Sequence, residues 1–63
     1  MDKYMSIEDI RNLKAGDLIR CGDFKFKVVE FDPFWDMLTY CDSFGNRACY
    51  KAEECTNFCK GWK

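Results

Sequence analysis

The chain contains no histidine and one proline, and its charged residues form no run of either sign. Without histidine it lacks the commonest general base and the usual partner of a nucleophilic serine or cysteine. The carboxylates do not replace it: Glu53 and Glu54 are adjacent and diverge, while Glu8 with Asp9 and Asp32 with Asp36 have spacings ordinary for a helix start and a loop. A chain of 63 residues also has little volume for a substrate cleft. These absences argue against an enzyme. Ten Lys and Arg against eleven Asp and Glu give a net charge of −1. The sequence pI is near 5.2, which disfavours both a basic nucleic-acid stripe and an acidic DNA mimic. Asp2, Lys3 and Ser6 interrupt the start, so neither a signal peptide nor a membrane span is expected. A cytoplasmic protein with reduced thiols follows as the expectation.

What is present is apolar and aromatic. Hydrophobic residues make up 48% of the chain and aromatics 17%, with six Phe, three Tyr and two Trp. One small domain spanning residues 1–63 must bury a dense core, and large rings suit that demand.

Local signals divide the chain. Ser6 followed by Asp9, with Ile7, Ile10 and Leu13 at helical spacing, predicts a short helix over 7–13. Gly16 and Asp17 end it, and strand one begins at Leu18. Gly22 and Asp23 turn the chain into strand two, where Phe24, Phe26 and Val28 alternate with Lys25 and Lys27. After Val28 the phase slips: Val29 and Phe31 become the apolar pair and Glu30 the polar one, which predicts a β-bulge or sharp bend. Asp32 and Pro33 break the strand. A loop with Phe34, Trp35 and Asp36 follows, then strand three over 37–43, a turn through Phe44, Gly45 and Asn46, and strand four over 47–51. Ala52 to Cys55 reads as one helical turn, and Phe58 and Trp62 supply apolar mass for a final short strand that closes the sheet.

The stretch LKAGDLI, Leu13 to Ile19, resembles the L-x-x-G-D-x-I opening of Src-homology-3-like small β-barrels. The one-turn helix expected over Tyr50 to Cys55 sits where those barrels place theirs. The resemblance covers most of the chain and implies a mainly β fold: a barrel of four to five antiparallel strands with a short N-terminal helix. It does not extend to recognition of proline-rich peptides, because the acidic loop, Trp and Pro-Tyr pair of the peptide-binding members have no counterparts here.

Three contact chemistries compete. The first is a protein-binding surface at Phe34 and Trp35, flanked by Asp32 and Asp36, because surface loops carry aromatic centres with polar rims. The competing structural role is a plug in which those rings fold back over the barrel end. The second is a nucleic-acid face, with Phe24 or Tyr40 stacking on bases and Lys25, Lys27 and Arg47 meeting phosphates. Arg20 is a candidate for the same hairpin face. The third is a zinc site from Cys41, Cys49, Cys55 and Cys59, although the only knuckle spacing is Cys55-x3-Cys59 and five cysteines cannot all pair as disulfides. No cofactor is expected. A protein partner met stoichiometrically, as by a phage or mobile-element inhibitor of a host protein, is the favoured reading. Tyr40, Tyr50 and Trp62 share the ambiguity between surface and core, and homodimerisation through the edge of strand three is a further possibility.

Overall fold

The computed structural model describes residues 4–62 and is mainly β. The elements are α1 (Ile7–Arg11), β1 (Leu18–Cys21), β2 (Phe24–Asp32), β3 (Met37–Cys41), β4 (Arg47–Lys51), a 3₁₀ turn (Ala52–Glu54) and β5 (Cys59–Lys60). The strands form one antiparallel sheet in the order β4-β3-β2-β1-β5.

Helix α1 starts on a capping box. The Asp9 N–H donates to Ser6 Oγ at 3.2 Å and the Ser6 N–H donates to Asp9 Oδ2 at 3.1 Å. It ends at Arg11, earlier than its apolar spacing predicts, because Asn12 leaves the helical region at φ −95° and ψ 1°. Ile10 and Leu13 are buried, whereas Ile7 is exposed and Met5 takes a core position in its stead. The backbone N–H of Met5 ties it to the Phe58 carbonyl at 2.8 Å.

The LKAGDLI stretch has a local physical explanation. Asp17 Oδ2 accepts the Lys14 N–H at 2.8 Å, closing a turn that Gly16 completes at φ +95°, a conformation costly for any residue with a Cβ. The corner then docks on strand β2: the Gly16 N–H reaches the Val28 carbonyl at 2.9 Å and the Val28 N–H reaches the Asp17 carbonyl at 2.8 Å. The register of β2 against β3 breaks just beyond this point, between Val28 and Glu30. Val29 is the bulged residue, so Val28 faces Tyr40 before the bulge and Phe31 faces Leu38 after it, both on the core side. Only Phe31 joins the core of the expected Val29 and Phe31 pair.

The core groups Met5, Ile10, Leu13, Ile19, Val28, Leu38, Tyr40, Ala52, Cys55 and Phe58. Its aromatic centre is a trio in edge-to-face contact, with ring centroids 4.9 Å apart for Phe26–Tyr40, 5.7 Å for Phe26–Phe58 and 5.2 Å for Tyr40–Phe58. Such pairs add specificity of geometry to the area they bury.

The expected barrel is not closed. Strand β5 pairs with β1, not β4, so β4 and β5 are the two edges of an open sheet. Trp62 follows β5 and donates its indole N–H to the Phe26 carbonyl at 2.8 Å. Strand three ends at Cys41, sooner than expected, because Asp42 begins the turn by accepting the Phe44 and Asn46 N–H groups, each at 2.9 Å. It is also an interior strand, flanked by β2 and β4, and offers no edge for dimerisation.

Candidate functional site

The loop from Pro33 to Asp36 joins β2 to β3 at the end of the sheet opposite the two hairpin tips. Asp32 organises its entry: Oδ1 accepts the N–H groups of Phe34 at 2.9 Å and Trp35 at 3.4 Å, a turn that Asx side chains form readily. Asp36 organises its exit. Its φ of +55° turns the chain back into β3, and aspartate tolerates that region better than most residues.

Tertiary contacts hold the same residue. Arg11 reaches across from α1 and donates Nε to Asp36 Oδ1 and Nη2 to Oδ2, each at 2.8 Å, in a bidentate fork. The Asp36 carbonyl accepts the Ala52 N–H of the 3₁₀ turn at 2.9 Å. The hydrogen bond from Arg11 lowers the Asp36 pKa, and the same bond raises that of Arg11. Both groups are solvent-exposed, so the pair contributes mainly position, not stability.

Between these fixed ends Phe34 and Trp35 project outward, 81% and 65% exposed, with their rings edge to face at 5.0 Å and 87°. They do not plug the sheet. Asp32 and Asp36, expected as a polar rim, have backbone and Arg11 partners and so shape the loop that displays the rings.

The nucleic-acid candidates separate onto two faces. Lys25 and Lys27 alternate with Phe24, which is exposed at the hairpin tip, and Phe26, which packs against the core; Lys27, Cys41 and Arg47 stand in one row across β2, β3 and β4 on the outer face. Tyr40 points to the other face, 7% exposed, between Phe26, Phe58 and the stacked ring of Tyr50. Burial pushes its hydroxyl pKa up to about 12. A ring so covered has no face to offer a base, so Tyr40 leaves the candidate set. Arg20 is also buried, with Nη1 3.4 Å from the carbonyls of Lys60 and Gly61.

The four cysteines of the zinc alternative do not converge. Cys41 and Cys49 lie on the outer face, the latter opposite Thr39, which donates its hydroxyl to Cys49 Sγ at 3.4 Å. Cys55 is in the core and Cys59 is buried on β5 opposite Arg20. Burial pushes the Cys55 thiol up to about 11, against the thiolate a metal requires. Among the described residues no three Cys, Asp or Glu come together to hold a metal ion.

Two features escaped the sequence reading. Phe24, Phe44 and Trp62 line a groove of about 440 Å³ between the hairpin tips. In the sequence Trp62 signals sheet closure and Phe44 a turn, although an apolar ring beside Gly45 is itself a signal of surface display. The second feature is the unpaired side of β4. Among the described residues no helix is long and apolar enough to cross a membrane. No known protein family matches the sequence, and no curated protein or solved structure matches it either.

Proposed function

We propose that the protein is a non-catalytic binding module that recognises another protein through Phe34 and Trp35. The observation that carries this reading is the exposed edge-to-face pair on a loop held at both ends, by Asp32 at its entry and by the Arg11–Asp36 fork at its exit. Large rigid rings fixed before contact lose little conformational freedom on binding, which is how aromatic anchors come to dominate interfaces. Action by stoichiometric contact in the cytoplasm, as by a phage or mobile-element inhibitor of a host protein, is the finer form of the proposal.

Affinity capture from the native host, read by mass spectrometry, tests it. The wild type and a Phe44→Ala control are expected to retain the same partner, and Trp35→Ala to lose it while remaining folded. Equal capture by Trp35→Ala sinks the reading.

The row of Lys27 and Arg47 on the outer face supports a second reading, contact with nucleic-acid backbone. Oligonucleotide binding that falls steeply between low and physiological salt would favour it, and no binding at low salt would remove it.

A further inference from the structure

The register of β4 shows what its free side presents. The Asp42 N–H donates to the Asn46 carbonyl at 3.0 Å and the Ala52 N–H to the Asp36 carbonyl at 2.9 Å, so hydrogen-bonded pairs recur at every second position between those limits. Ala48 opposite Tyr40 and Tyr50 opposite Leu38 therefore face β3. Arg47, Cys49 and Lys51 aim their N–H and C=O groups the other way, off the free edge of β4. The Lys51 N–H already meets Glu54 Oε1 there at 3.3 Å. Among the described residues the edge N–H groups of Arg47 and Cys49 have no partner.

The free edge has two further properties. Behind it, on the core side, Phe26, Tyr40, Tyr50 and Phe58 line a groove of about 310 Å³, with Glu54 and Asn57 at its polar margin. In front, on the outer face, Arg47 and Lys51 stand at the two ends of the strand with Cys49 between them. On the opposite edge of the sheet, β5 is covered by the bridge from Tyr4 to Cys59.

We propose that the β4 edge binds an extended acidic segment of another protein by strand addition. Its five-residue pattern would be acidic, apolar, any, apolar, acidic. The acidic side chains lie beside Arg47 and Lys51, and the apolar ones enter the groove beside Ala48 and Tyr50. Main-chain bonds to Arg47 and Cys49 supply the pairing and the alternating side chains supply selection. A second copy is the poorer occupant. Antiparallel pairing of two β4 strands about Cys49 sets Arg47 against Lys51 twice, parallel pairing in register sets each against itself, and like charges directly opposite are destabilising. The site does not depend on the Phe34 and Trp35 surface.

Blocked peptides Glu-Val-Thr-Val-Glu and Lys-Val-Thr-Val-Lys, titrated against the whole protein and followed by amide exchange and nuclear magnetic resonance shifts, test this. The glutamate peptide is expected to bind about tenfold tighter, since two attractive pairs replace two repulsive ones. It should slow exchange at the Arg47 and Cys49 amides. Arg47→Glu with Lys51→Glu should reverse the preference. Cys49→Pro, which removes an edge N–H and the acceptor of the Thr39 hydroxyl but no backbone bond to β3, should abolish binding of both peptides. Trp35→Ala should bind as the wild type does, which separates this site from the loop. Equal affinity for the two peptides, unchanged exchange at Arg47 and Cys49, or protection of those amides that grows with protein concentration in the absence of peptide would overturn the proposal.

Discussion

The two ends of the sheet solve the same local problem differently. At one end, Asp42 closes the β3–β4 turn by accepting the Phe44 and Asn46 N–H groups, and the Asn46 amide adds a bond to its other oxygen at 3.2 Å. Every one of those partners lies within the turn. At the other end, Asp32 makes a similar local closure, but Asp36 is held by α1 and by the 3₁₀ turn. Both ends display aromatics, with Phe44 88% exposed. A turn tied only to itself needs its aspartate to reverse the chain. A loop tied to two distant elements has its orientation fixed relative to the whole molecule, and that is the property a recognition surface uses.

The largest expected difference is in binding. Trp35→Ala should weaken the partner's affinity by about 2 kcal/mol, roughly thirtyfold, whereas Phe44→Ala should change it less than about twofold. Titration calorimetry with the captured partner measures both, and equal losses would dissolve the contrast. Next in size is a backbone effect at the self-contained turn. Gly45 has φ +87° with open space around the position a Cβ would occupy, so Gly45→Ala should cost about 1 kcal/mol through left-handed strain alone, read by urea denaturation.

A smaller effect separates charge from shape at the tethered loop. Asp36→Asn keeps a residue type that tolerates positive φ but removes the ionic fork, so stability should fall slightly at low salt and match the wild type near about 1 M salt. A difference that survives high salt would show that the fork contributes more than Coulomb attraction.

The smallest effect is in acid. Asp36 is held below its ordinary value chiefly by the hydrogen bond from Arg11, and Asp42 chiefly by the Asn46 backbone N–H. A lowered folded-state pKa gives stability that is complete above the ordinary carboxyl value of about 3.9 and is lost as pH falls through the folded value. Both ends should therefore weaken below about pH 4. In Arg11→Ala the part belonging to Asp36 should shrink, leaving the smaller pull of Lys51, and that of Asp42 remain, as site-resolved carboxyl titrations would show.

Much of the fold was legible because its signals are local. The Ser6 and Asp9 box, the Gly16 and Asp17 corner, the Gly22 turn and the phase slip after Val28 all act within a few residues. The open sheet was not legible, since whether β5 meets β4 or only β1 depends on how far the sheet curls, and no neighbouring pair of residues encodes that. Tyr40 was misplaced for a different reason: Met37, Leu38, Thr39, Tyr40 and Cys41 are apolar or weakly polar on both faces, so alternation gives no phase. At the candidate site, Pro33 put Phe34 and Trp35 on a loop between strands, but the same residues fit a plug over the sheet end as well as outward display, because loop position alone does not say which way a ring turns. The tether was not legible, because Arg11 and Asp36 are 25 positions apart and nothing in either residue names the other.

The hydrogen bond from Trp62 to the Phe26 carbonyl gives the molecule two separate optical reporters. One indole is fixed against the sheet near the end of the chain, and the other stands in solvent on the β2–β3 loop. Emission from the first tracks whether the terminal segment stays docked, and emission from the second tracks whether the loop is occupied. With Trp62→Phe or Trp35→Phe as the silent background, ordinary fluorescence can follow the docking of the terminal segment and the surroundings of the loop as distinct signals.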